Sequence, residues 1–179
     1  MALGFAAHWV GHGHEDLILP LNSLAMLDIA RGNLAEADAL LQEALASARE
    51  HKHWMLGQVL TNVADLDVRQ RRLEQAGAAL DEARALLVAE HGDVLSGAAA
   101  WRLAILNSVA GSYEIERGGL AEAERYLTAA WPVLRARFGT RSYFGDACLV
   151  HLIQLYEIKG DEKSAREYRA LLRSSPAAH

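Results

Sequence analysis

Two six-residue stretches decide the fold: Gly32-Asn33-Leu34-Ala35-Glu36-Ala37 and Gly118-Gly119-Leu120-Ala121-Glu122-Ala123. Each is a turn followed by the start of a helix. Glycine adopts the left-handed conformation that ends a preceding helix without a Cβ penalty. Two further stretches align with them, Arg71-Arg72-Leu73-Glu74-Gln75-Ala76 and Gly160-Asp161-Glu162-Lys163-Ser164-Ala165, so the final Ala recurs at steps of 39, 47 and 42 residues. Upstream lie matching patches Leu21-Asn22-Ser23-Leu24-Ala25, Leu60-Thr61-Asn62-Val63-Ala64 and Leu106-Asn107-Ser108-Val109-Ala110, with a divergent fourth copy, Leu149-Val150-His151-Leu152-Ile153.

Recurrence at steps near 42 residues marks a repeat array. Each unit predicts two amphipathic helices, A and B, joined by a tight turn; the first pair spans Asp16–Arg31 and Leu34–Glu50. Small residues (Ala25 with Ala37, Ala64 with Ala76, Ala110 with Ala123) mark where A and B cross. Larger ones (Leu24, Leu41, Leu80, Tyr113, Leu127, Tyr156) are expected to fill the core. One hairpin cannot bury its apolar face alone, so neighbours stack. Three features depart from a regular array. Arg71 stands where glycine is expected. The third copy carries an extra residue before Leu120 and a longer link around residues 92–99. Pro132 falls inside the predicted helix B3 and is expected to kink or split it.

The pattern resembles the tetratricopeptide repeat, in the variety of about 42 residues found in kinesin light chains, where the loop between repeats carries a Gly-His element similar to Gly13-His14. The stretch from Ala130 to Gly139, with Glu167–Leu172, is similar to the C-terminal end of repeat arrays attached to bacterial serine/threonine kinases; no kinase motif occurs in the chain itself. The resemblance implies an all-α, right-handed solenoid of about four repeats, at 16–52, 53–92, 93–139 and 140–174. Residues 1–15 would form an N-terminal segment, read as the remnant of a preceding helix, and 175–179 a disordered tail.

Composition agrees. Of 179 residues, 51% are hydrophobic and only three are Pro, which suits helices and a folded core. A net charge of −5, mixed in sign along the chain, argues against general nucleic-acid binding. The single cysteine, Cys148, allows no internal disulfide and fits a reducing, cytoplasmic setting. No apolar run is long enough for a membrane span.

The resemblance implies a protein-interaction scaffold whose A helices line a concave groove for a peptide or partner segment. Its exposed positions map to Asn22, Ser23 and Met26 in the first repeat and to Thr61, Asn62, Asp65 and Arg69 in the second. They map to Asn107, Ser108 and Gly111 in the third, and to His151, Gln154 and Glu157 in the fourth, with Val68 and Ile115 adding apolar contacts. Asparagine is a poor mid-helix residue, so three of them need a reason. An Asn amide can pair with a peptide backbone, or it can bond within or between helices. Trp54 and Trp101 lie where they could border the groove.

Chemistry is sparsely represented. His8, His12 and His14 sit in a Gly-rich stretch beside Glu15 and Asp16, and His51 and His53 follow the first B helix. These are expected to be loop histidines, not a metal site. No cofactor motif, nucleophile elbow or His-Glu-x-x-His helix occurs, so no enzyme activity is expected. The alternatives to a groove scaffold are self-association and a regulatory or sensor module of a larger signalling protein. Self-association, as a homodimer, would cover an N-terminal end carrying Phe5, Trp9 and Val10, while the last helix presents a polar cap.

Overall fold

The computed structural model describes residues 14–91, 97, 99–139 and 142–173. Among them are eight α-helices: α1 (Ile18–Arg31), α2 (Leu34–Glu50), α3 (Leu56–Arg69), α4 (Leu73–His91), α5 (Ala100–Arg117), α6 (Leu120–Phe138), α7 (Tyr143–Ile158) and α8 (Glu162–Arg173). Odd-numbered helices are the A helices and even-numbered ones the B helices. One pair falls in each expected repeat. The first helix begins differently from the expectation: His14–Leu17 is a short 3-10 turn, and α1 starts at Ile18 with Pro20 in its first turn, where its missing N–H costs nothing. Residues 1–13, with Phe5, Trp9, Val10 and His12, lie outside the described residues, as do the tail and most of the link before α5.

The four A-to-B turns are built alike. The N–H groups of Gly32, Arg71, Gly118 and Gly160 donate to the carbonyls of Ile29, Val68, Ile115 and Glu157. The next residues (Asn33, Arg72, Gly119, Asp161) donate to Asp28, Asp67, Glu114 and Tyr156. Paired bonds of this kind satisfy the last carbonyls of the helix. The residue at the corner has positive φ each time: 82° at Gly32, 80° at Gly118, 72° at Gly160 and 60° at Arg71. Arg71 therefore closes its turn in the same way as the glycines, at a steric cost that they avoid.

Aligned on these turns, the third copy changes its register. The Gly118-Gly119 turn has no extra residue; α5 carries it instead. Gly111, not Ala110, takes the place of Ala25 and Ala64 at the A/B crossing. A Cβ on Gly111 would lie 2.4 Å from Leu127 Cγ on α6. On the B side the small residues Ala37, Ala76, Ala123 and Ala165 are all fully buried.

Within each pair, and from each B helix to the next A helix, the helices pack directly. The A helices also pack on one another, α1 on α3, α3 on α5 and α5 on α7. No two B helices approach within 8 Å between α-carbons among the described residues. The array therefore bends with its A helices inside, as a curved solenoid. One core runs from α1 to α5 around Leu41, Leu60, Leu66 and Leu106, and a second from α5 to α8 around Leu127, Leu134, Leu149 and Leu152. α5 contributes to both.

Two expectations are corrected. Leu24 does not fill the core; it is 46% exposed, because α1 has no A helix on its other side among the described residues. Pro132 does not split its helix: α6 runs from Leu120 to Phe138, with Pro132 on the exposed face and Trp131 and Leu134 buried beside it. Burial of the flanking residues outweighs one lost backbone bond.

These turns and crossings predict opposite signs for two glycine exchanges. Arg71→Gly relieves a left-handed side chain and should stabilise the fold by about 1 kcal/mol, since its ion pair with Glu116 joins a largely exposed arginine. Gly111→Ala should destabilise by about 1–2 kcal/mol despite better helix propensity, because the methyl overpacks Leu127. Urea-unfolding midpoints of the two variants against the parent decide both.

Candidate functional site

On each A helix one stripe of residues at i, i+4, i+7 and i+11 faces the inside of the curve. On α3 it is Gln58, Asn62, Asp65 and Arg69. The matching stripes begin Leu19, Ser23 and Met26 on α1, Ile105 and Val109 on α5, and Ala147, His151 and Gln154 on α7. Asn62, Asp65, Ile105, Val109, Ala147 and His151 line one small pocket there, together with Ser108, Tyr143 and Phe144. Its free volume is about 20 Å³, room for a single water-sized group.

Of the predicted groove residues, Ser23, Met26, Asn62, Asp65, Arg69, His151 and Gln154 fall on these stripes and Ser108 lines the pocket; Asn22, Thr61 and Asn107 stand beside the stripes, and most are not exposed as expected. Asn22, Thr61, Asn62, Asp65, Asn107, Ser108 and His151 are all buried, with at most 8% of their surface accessible. The close approach of neighbouring A helices covers them. Asn62 Nδ2 donates to Asn22 Oδ1 at 2.8 Å, tying α3 to α1. Asn107 Oδ1 accepts from Arg84 on α4 at 2.7 Å, and the Thr61 hydroxyl donates to the Gly57 carbonyl at 2.8 Å. Ser23 and Arg69 are exposed, and Met26 and Gln154 are half-buried. Val68 and Ile115 belong to the core and supply no groove contact. Gly111 is buried against Leu127, and Glu157 is exposed and paired with Arg169.

Arg69 Nε donates to Asp65 Oδ2 at 3.0 Å. Burial opposes the arginine's charge, but the Asp65 carboxylate outweighs it and holds the guanidinium above its ordinary range. Across from this pair stand the aromatic groups of α7. Burial, reinforced by Asp65, pushes the Tyr143 hydroxyl up to about 12. Burial also pushes the His151 imidazolium below its ordinary range, against the pull of Asp65, so the ring is neutral at pH 7. Cys148, one turn before His151, is a buried thiol whose burial raises it to about 12, which leaves it without thiolate reactivity.

Three of the inner-face residues carry buried polar atoms with no hydrogen-bond partner in the protein: both amide atoms of Gln58, the Tyr143 hydroxyl and His151 Nδ1. Sequence reasoning passed over Gln58 and Tyr143. Gln58 was legible as the residue one turn before Asn62 on the same stripe; Tyr143 had no such signal.

A larger open groove, about 700 Å³, lies on the outer side between α2 and α4. Its charges are paired across it: Arg49 with Glu82 at 2.6 Å, and Arg72 with Asp38 at 2.8 Å and Asp67 at 2.5 Å. Burial nonetheless raises Asp67 above the usual carboxylate range, while Arg72 lowers Asp38 below it. Trp54 and Trp101 flank the Arg102 guanidinium, at 4.5 and 5.3 Å from the ring centres. Trp54 lines a depression with Leu56, Leu86 and Glu90, not the inner pocket. Among the described residues no group of three or more His, Cys, Asp or Glu side chains could hold a metal ion, and no helix is long and apolar enough to cross a membrane.

His151 sets a pH dependence. The unfolded chain takes up a proton near the ordinary value of 6.5, whereas the folded protein resists it. The stabilisation from this depressed group is therefore complete above about pH 6.5 and declines as pH falls below it toward the folded value. His151→Gln should flatten that part of the stability profile. Urea midpoints at stepped pH test this, and parallel profiles for parent and variant would contradict a neutral buried His151.

No family model matches the chain, and no curated protein matches it. Among solved structures, the chain is similar to BtubC (BKLC) from P. vanneervenii, with a TM-score of 0.64 at 21% identity over 91% of this chain and 63% of that one. The chain thus spans under two thirds of that neighbour's length, and the likeness establishes the fold: an all-helical repeat array.

Proposed function

We propose that this chain is a protein-interaction module that lays an extended segment of a partner along the inner face of its A helices. The observation that carries the reading is the set of buried polar atoms on Gln58, Tyr143 and His151 that have no hydrogen-bond partner in the protein. An unpaired buried polar group costs about 1–3 kcal/mol. A partner's main-chain N–H and C=O groups are of the right kind to recover that cost, since Gln58 offers both a donor and an acceptor. Ser23, Met26, Gln154 and Arg69 give the accessible rim. The outer groove is larger, but its charged groups already satisfy one another.

The role is non-catalytic. Cys148, the one thiol, is buried and protonated, and the inner face presents hydrogen-bonding groups without a nucleophile–base pair. The size of the inner pocket favours one group of a longer partner over a whole small signal molecule, which sets the sensor reading below the scaffold one. A cytoplasmic place fits the single free cysteine.

Gln58→Leu and Tyr143→Phe separate binding from stability. Each removes polar atoms that have no partner in the free protein, so each variant should unfold at the same or a higher urea concentration than the parent. Peptides selected on an array with the parent chain should bind each variant at least about tenfold more weakly by fluorescence anisotropy. Undiminished binding by both variants would place the partner elsewhere on the molecule.

A further inference from the structure

Among the described residues, the first helix of the array leaves one face uncovered. Leu19, Leu24 and Leu27 of α1 are 57%, 46% and 54% exposed, and Ser23 lies exposed among them. The opposite end of the array differs: Glu162, Lys163, Arg166 and Glu167 stand exposed on α8. An apolar first helix and a charged last one do not suit head-to-tail stacking. They suit a contact in which the same face meets itself.

The α1 face is self-complementary for that contact. Exposed Asp16 stands in the 3-10 turn just before α1 and exposed Arg31 at the C-terminal end of α1. The midpoint between them falls between Ser23 and Leu24. In an antiparallel pair centred there, Asp16 of each copy meets Arg31 of the other, Ser23 lies opposite Leu24, and the Leu19 and Leu27 ends overlap. The small Ser23 at the centre lets the two backbones approach. We propose that α1 pairs with α1 of a second copy of this chain, antiparallel about a two-fold axis at Ser23 and Leu24. The contact is one helix wide, below the area of a permanent interface, so the dimer forms and dissociates with concentration.

Sedimentation velocity of the full chain, from about 1 to about 200 µM at low salt, tests this. The parent should shift from monomer to dimer over the series. Leu24→Glu and Asp16→Arg should each weaken the dimer at least about tenfold. The double exchange Asp16→Arg with Arg31→Asp should recover it, because the reversed charges pair again across the axis. Circular dichroism checks that all variants remain helical. A parent that stays monomeric throughout overturns the proposal and leaves a foreign partner as the cover for α1. A dimer indifferent to Leu24→Glu overturns it in favour of another surface. Failure of the double exchange to recover what Asp16→Arg loses overturns the antiparallel arrangement.

Discussion

The contact of each A helix with the next is the constraint on which the rest of the molecule turns. α3 shows it most fully: it packs on α1 and α5 as well as on its own partner α4 and on α2, and every residue from Gly57 to Val68 is buried. A helix enclosed on so many sides cannot leave its polar side chains to water. Thr61 turns its hydroxyl back to its own helix, Asn62 reaches across to Asn22, and Asp67 meets Arg72. Each is a bond that specifies position, since a buried amide that slips by one turn loses its partner and carries the desolvation cost alone. Asn22 and Asn62 therefore act as a register pin between the first two repeats, which accounts for asparagine in the middle of two helices.

The same enclosure explains which parts of the molecule were legible in the residues. Three of the turns were, because their chemistry is local: a corner glycine at Gly32, Gly118 and Gly160, a leucine two residues past the corner in the first three copies, and an alanine at the start of each B helix where the helices cross. Helix α2 begins at Leu34 and ends at Glu50, where the pattern sets it. Arg71 was not, since arginine gives no sign of a left-handed corner; its positive φ and the bonds from Arg71 N–H to Val68 and from Arg72 N–H to Asp67 reveal it. The register of α5 was hidden too. An alignment on Leu-Asn-Ser-Val-Ala favours Ala110, while packing against Leu127 selects Gly111.

For the candidate site, the stripe was legible and its depth was not. Residues at i, i+4 and i+7 on an A helix share a face whatever surrounds them. Whether that face is open depends on how closely the next A helix approaches, which is a property of the stack and not of one hairpin. Hence Ser23 of the first repeat is exposed, while its counterparts Asn62 and His151 are nearly covered. Tyr143 was missed for a related reason. It stands at the first position of α7, outside the repeating patch, and reaches the inner face only because α7 packs against α5.

Two kinds of unfinished surface remain, and they differ physically. On the inner face the unfinished business is polar: atoms that are buried, directional and few. Groups of that kind select a partner by geometry, because a ligand lacking the matching donor or acceptor leaves the cost in place. On α1 it is apolar: leucine side chains, tolerant of shape and driven by area. Such a face does not choose among apolar partners by itself; the choice falls to the charges at its rim, Asp16 and Arg31, whose placement favours one orientation over the rest. Selection by hydrogen bonding inside the curve rests on α3 and α7, and association by apolar contact rests on α1; the two meet at Ser23, so pairing of α1 narrows the rim of the groove in the first repeat.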